Sequence, residues 1–277
     1  MTTRTYVAAA APLWVRKRLA GPMRDVTVVH AGRHAVYVAV ADGVAPRCIG
    51  LLSRSSSVVP CGLRTTLADL SALTGANGPP APGDVVSAGA GILSIGSVDV
   101  GIGRTVDLSA PRLAPFAAGT MASRLREAVA GRLTAVQSEL PPAALTSLGQ
   151  GDPAAVPMLL GRGSGLTPVG DDVLAGWLAT MKAAQSESGP MAREVARLSA
   201  NATTLLSATL LDRAGAGDVL PEFGRLLLDL RMPFPGRLGD DVELMLAIGH
   251  TSGAGLLLGS LLAFDHLTQN HPIARSQ

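Results

Sequence analysis

The sequence predicts an α+β protein: a β-rich N-terminal half over residues 1–115, followed by a mostly helical C-terminal domain over residues 116–277. Three observations carry this expectation. Between Asp25 and Leu108, β-branched residues recur with a period of two and glycines punctuate them, as in strands joined by tight turns. After Pro115 the period lengthens, and Leu125, Val129, Leu133 and Val136 fall on one helical face. Hydrophobic residues make up 47% of the 277 and aromatic ones only 3%, so the core is aliphatic and glycines let backbones approach closely.

Taken in order, Tyr6–Leu19 reads as a short helix or helix-like lead-in, with Pro12 near its start. Val26 and Val28, then Val36, Val38 and Val40, mark strands turned at Gly32 and Gly43. Ile49–Leu52 and Val58–Leu63 are further strand candidates, and Gly75–Gly83 is a loop by composition. Val85–Ala88, Gly91–Ile95 and Val98–Ile102 continue the β pattern, which closes near Val106–Leu108. Helices are expected at Met121–Gln137, Asp172–Ala184, Met191–Ala214, Val219–Leu230 and Asp241–Ile248, with a last one from about Gly253 to Leu267. Ser186–Pro190 and Met232–Gly239 are the breakers between them.

Several function classes are disfavoured at this stage. The net charge is +2, and the densest basic cluster, Arg16-Lys17-Arg18, has no aromatic interleaving, so no nucleic-acid partner is expected. Cys48 and Cys61 lack metal-type spacing and read as two buried thiols in a reducing compartment. The apolar stretch Ala254–Phe264 is shorter than the ~18 residues of a membrane span. Val7–Val15 is apolar, but its cations follow it and Pro12 interrupts it, which argues against a secretory signal. A cytoplasmic protein with no membrane partner is the expectation.

The most informative stretch is Gly161-Arg162-Gly163-Ser164-Gly165-Leu166-Thr167-Pro168-Val169-Gly170-Asp171-Asp172. Glycines permit positive φ and clear side chains from a ligand's path. Exposed N–H groups or a helix N-terminus bind anions. The stretch is no P-loop, because no lysine follows the glycines, and no dinucleotide fingerprint, because Pro153 and Pro157 precede it in a helix-like stretch. Asp171 and Asp172 would repel a bare phosphate, so a ligand here offers N–H donors or arrives with a cation such as Mg2+. An amide, carbamoyl or ureido group fits, its anionic part held on glycine N–H groups or by Arg162. The bland alternative makes one aspartate an N-cap and the glycines its turn.

Two later segments join this one. Gly249-His250-Thr251-Ser252-Gly253 sits between helical patterns, and His250 is the histidine there that would transfer a proton or donate to a ligand, or simply bond to backbone. Thr203, Thr204 and Ser207 share a face of an expected helix and would line a polar pocket, or bond back to the preceding turn. Gly255 and Gly259, four apart, read as a tight helix-packing device. No Gly-x-Ser-x-Gly elbow and no zinc spacing of histidines is present.

Together, Gly163-Ser164-Gly165-Leu166-Thr167-Pro168-Val169-Gly170-Asp171-Asp172, Thr203-Thr204-x-x-Ser207 and Gly249-His250-Thr251-Ser252-Gly253 resemble, in the same order, the three motifs of the AllH-like family. The β-rich half and Asp107–Arg112 also look like that family. The family is named for the AllH subunit of oxamate carbamoyltransferase, of anaerobic allantoin breakdown. The resemblance implies a small-molecule substrate, FdrA-like and AllG-like partner subunits, and transfer of a carbamoyl group between carbamoyl phosphate and a small amide or ureido compound. It also implies roles. Asp171, Asp172 and His250 would be catalytic. Arg162, Gly163, Gly165, Thr167, Gly170, Thr203, Thr204, Ser207, Thr251 and Ser252 would bind substrate. The family pattern places an aspartate where this chain has Gly255, a departure from oxamate transfer if that acid takes part in chemistry or subunit contact. A non-catalytic ligand-binding or scaffolding subunit and a stand-alone amide-acting hydrolase or lyase are the competing readings.

Overall fold

The structure, a computed structural model, describes residues 4–41, 47–73, 78–232 and 236–270. The expected turn at Gly43, the start of the expected loop at Gly75–Asn77 and the centre of the expected breaker at Pro233–Pro235 lie outside the described residues. The chain divides into two compact units, Met1–Leu108 and Ser109–Gln277.

In the first unit, the strands are β1 (Thr5–Pro12), β2 (Arg24–Ala31), β3 (Ala35–Val40), β4 (Arg47–Leu52), β5 (Gly62–Thr65), β6 (Val85–Gly89), β7 (Ile92–Ile95) and β8 (Val98–Val106). They close into one barrel in the order β1-β5-β4-β3-β2-β6-β7-β8. This corrects the α+β expectation: the N-terminal strands wrap into a closed eight-stranded barrel, which leaves no open sheet edge to a layered arrangement. The closing pair is β1 with β8, parallel, running from Thr5 opposite Val98 to Pro12 opposite Val106.

The expected helix over Tyr6–Leu19 is corrected as well. Only Leu13–Leu19 (α1) is helical, and Thr5–Pro12 is strand. The alanine run Ala8–Ala11 is helix-prone in isolation. Here its backbone groups are taken by β8 on one side and β5 on the other, with Ala9 opposite Thr65. Val15 and Leu19 of α1 are fully buried in the core formed by Val26, Val28, Val38, Leu63 and Val100. Cys48 and Cys61 are buried and form no disulfide.

The second unit contains α2 (Ala118–Ala128), α3 (Thr134–Glu139), α4 (Pro142–Gly149), α5 (Val156–Leu159), α6 (Val169–Ala183), α7 (Gly189–Ala202), α8 (Leu205–Ala216), α9 (Pro221–Arg231), α10 (Leu238–Leu246) and α11 (Ser252–Asn270). The expected helix Met121–Gln137 is two helices, α2 and α3, with Gly131 at φ +72° between them. The expected helix Met191–Ala214 is likewise broken, at Thr203 and Thr204, into α7 and α8.

Helix α6 is the centre of this unit, and Lys182 is its only residue not buried. It crosses α11 at backbone contact. A Cβ on Gly259 would lie 2.0 Å from the Val173 carbonyl oxygen, and one on Gly176 would lie 2.2 Å from that of Leu256. The buried Thr180 hydroxyl donates to Ser260 across the same crossing at 3.0 Å. The Gly255–Gly259 spacing is thus a packing device between helices. No helix among the described residues is long and apolar enough to cross a membrane.

Candidate functional site

The glycine-rich stretch folds as an irregular loop from Gly161 to Pro168, and α6 starts at Val169. The helix therefore begins earlier than the expected Asp172, with Pro168 as its N-cap and no side-chain cap. Asp171 and Asp172 sit inside the first turn, so neither is the N-cap that the bland alternative required. Both are nearly inaccessible, at 1% and 7% exposure.

Their surroundings separate them. Asp171 Oδ1 accepts from the Gly161 N–H at 2.6 Å. Its Oδ2 accepts from the Ser207 hydroxyl at 2.6 Å and also from the Thr203 hydroxyl. Burial pushes its pKa up, while these three donors pull it down. Asp171 is thus a hub that ties the loop to the α7–α8 junction.

Asp172 is different. Its Oδ2 is buried and has no hydrogen-bond partner. Burial, with the neighbouring Asp171 adding to it, pushes its pKa up to about 8, against the pull of the Ser252 and Thr167 hydroxyls. Those two hydroxyls lie 3.0 Å from each other, which joins the N-terminus of α11 to the loop. An unsatisfied buried carboxyl oxygen is costly and uncommon in a folded chain.

Thr203-Thr204-x-x-Ser207 works through its break. Thr204 N-caps α8, its hydroxyl accepting from the Ser207 N–H at 3.0 Å and donating to the Leu166 carbonyl at 2.5 Å. Thr203 and Ser207 then converge on Asp171. The expected stripe along one continuous helix face is therefore corrected to a junction, in which hydroxyls compete with the helix for backbone groups.

The glycines divide in the same way. Gly170 is a packing residue, since its Cβ would lie 2.0 Å from the Leu159 carbonyl oxygen and its N–H already donates to Arg162 at 2.9 Å. Gly163 and Gly165 hold φ of +113° and +92°, and Gly165 faces open space. Among the described residues, the N–H groups of Gly163, Ser164 and Gly165 donate to no other protein group.

In the third motif, the Ser252 hydroxyl reaches Asp172. Thr251 contributes its carbonyl to the Gly255 N–H at 2.8 Å. His250 is exposed in the turn before α11 and makes no hydrogen bond to Asp171 or Asp172. Gly255 lets α11 lie against this turn, because a Cβ there would stand 2.8 Å from that of Asp172. An aspartate at this position would need the two helices to separate.

Among the described residues, no three His, Cys, Asp or Glu side chains gather as metal ligands. Sequence reasoning passed over a groove of about 400 Å³ lined by Pro141, Pro157, Met158, Leu160, Gly161 and Arg162. The one signal for it was the proline density from 141 to 157, which cuts the chain into short helices with a gap between them.

Residues 159–264 match the family described as oxamate carbamoyltransferase subunit AllH, which supports an AllH-like assignment. That span contains all three motifs, and the barrel lies outside it. No curated protein and no solved structure matches the chain.

Proposed function

Taking the AllH-like assignment as premise, we propose that the chain is a subunit of an oxamate carbamoyltransferase-like enzyme and binds a carbamoyl or ureido ligand beside Asp172. The observation that carries this reading is the partnerless, buried Oδ2 of Asp172 within the family-matched segment. At neutral pH a carboxyl whose pKa stands at about 8 is mostly protonated. It is then a neutral acid that donates to a carbonyl oxygen, the group a carbamoyl or amide ligand brings. The free N–H groups of Gly163 and Gly165 would hold the ligand's anionic part. Thr167 and Ser252, whose hydroxyls bond to Asp172, would flank the ligand there once the loop admits it. Asp171, spent on Gly161, Thr203 and Ser207, positions the loop. His250, exposed two residues before Ser252, would exchange protons at the mouth.

The competing reading is a ligand-binding or scaffolding subunit without chemistry of its own. It is favoured by the absence of any hydrogen bond between His250 and the aspartates. One experiment separates the readings: carbamoyl phosphate turnover by the chain alone and with FdrA-like and AllG-like subunits, for wild type and Asp172→Asn. Turnover that needs the partners and falls in the variant supports the proposed site. Full turnover by the variant removes it, and turnover without partners makes the chain an enzyme in its own right.

A further inference from the structure

We infer that residues 163–167 form a lid over Asp172, held shut by two hydroxyl latches: Thr204 on the Leu166 carbonyl and Thr167 on Ser252. This rests on the reading of Asp172 as the group that meets a ligand, and adds how a ligand reaches it. Asp172 is nearly inaccessible and its Oδ2 is buried without a partner, so a ligand reaches that oxygen only if something covering it moves. Ser252 and Gly255 of α11 stand against Asp172, and so does Thr167 of the loop. Helix α11 is not free to withdraw. It meets α6 at backbone contact through Gly176 and Gly259, and close-packed helices of this kind do not part while the core stays folded. The loop is the element left to move.

Its construction suits that motion. The two ends are tied together, the Arg162 carbonyl accepting from the Gly170 N–H at 2.9 Å. Just before them, Gly161 is fixed by its bond to Asp171 at 2.6 Å. Between the ties, residues 163–166 are exposed. Among the described residues, no N–H from Gly163 to Thr167 donates to another protein group. Gly163 and Gly165 hold φ of +113° and +92°, and nothing lies within 4 Å of the place a Gly165 Cβ would take. A lobe with tied ends and no backbone bonds of its own opens without disturbing the helices beside it.

Side-chain hydroxyls hold the lobe shut. Thr204 donates to the Leu166 carbonyl at 2.5 Å, and the Thr167 and Ser252 hydroxyls lie 3.0 Å apart. Each latch joins the lobe to a different helix, Thr204 to α8 and Ser252 to α11. The free N–H groups travel with the lobe, so on closing it brings its own anion donors to a ligand lying beside Asp172.

The test is labelling of carboxyl groups in the full chain by a water-soluble carbodiimide with glycine ethyl ester, read at each residue by peptide mass spectrometry. The labelling rate of a covered group follows the population of its open state. Thr204→Asp keeps an acceptor for the Ser207 N–H, so α8 stays capped, but it cannot donate to Leu166. Thr204→Ser keeps both bonds. Thr204 bonds to Leu166 and Ser207, so its effect on Asp172 passes through the loop. Asp172 labelling should rise roughly 5- to 10-fold in Thr204→Asp, the loss of one hydrogen bond, and stay at the wild-type rate in Thr204→Ser. Thr167→Val, which removes the other latch, should raise it as well. Asp171 should keep its wild-type rate, because its donors Gly161, Thr203 and Ser207 lie outside the lid. Unchanged Asp172 labelling in both latch variants would overturn the lid, and so would Asp171 rising along with Asp172. No ligand enters this measurement, so failure of the lid and failure of carbamoyl phosphate to bind are told apart.

Discussion

Replacing Asp172 by asparagine tests the buried carboxyl through the pH dependence of folding. In the folded chain its pKa is pushed up to about 8 by burial and by Asp171, whereas an unfolded aspartate titrates near 3.9. Between these values the folded state keeps a proton that the unfolded state has released. The stability this group contributes is therefore fully present below about pH 4 and is lost as pH rises towards about 8. For a single proton the slope is at most about 1.4 kcal/mol per pH unit, or roughly 2–3 kcal/mol between about pH 5 and about pH 7. Asparagine does not titrate, so the variant lacks this slope. Urea unfolding of both proteins across that range reads the difference directly. Asp172→Asn should gain on wild type as pH rises, by up to that amount. Stability curves that stay parallel would mean that the group is ionised when folded, and the reasoning about its neutral form would fail.

Ser207→Ala removes one of the three donors on Asp171; it should cost about 1–2 kcal/mol in chemical denaturation and weaken ligand binding only through loosening of the loop. Gly259→Ala places a methyl group 2.0 Å from the Val173 carbonyl oxygen; it should lower stability by roughly 1–3 kcal/mol, and an unchanged melting temperature would show that the α6–α11 crossing relaxes freely. His250→Ala alters an exposed turn residue. Its stability should stay within about 0.5 kcal/mol of wild type. Carbamoyl phosphate affinity should hold while turnover with partner subunits drops roughly 100-fold or more. Loss of affinity instead, seen by titration, would place the imidazole on the ligand.

How far the sequence could be read depended on whether the deciding partner was near or far along the chain. The alternating valines of β2 and β3 announced strands because the pattern is local, and Gly255 with Gly259 announced a close helix crossing for the same reason. Barrel closure was not legible. It rests on β1 pairing with β8 about ninety residues away, and the alanine run in β1 has the local preference of a helix. The break at Thr203–Thr204 was hidden because the flanking apolar pattern continues through it, while hydroxyl bonds to Asp171 and Leu166 decide the geometry. At the candidate site, the three segments that the sequence singled out meet around Asp171 and Asp172, but their spacing could not divide the labour of two adjacent aspartates. That division comes from α8 supplying donors to Asp171 and α11 supplying Ser252 beside Asp172. His250 drew attention by its chemistry, and its exposure in the turn before α11 could not be read from its neighbours along the chain.

The most direct measurement is isothermal titration of carbamoyl phosphate into the full chain at neutral pH, for wild type and for an Asp172→Ala variant shown to be folded. The expected result is saturable binding to wild type and at least ~10-fold weaker binding to the variant, which has no donor to offer the ligand's carbonyl. Equal affinity for both proteins, or no binding to either, would contradict a ligand site at Asp172.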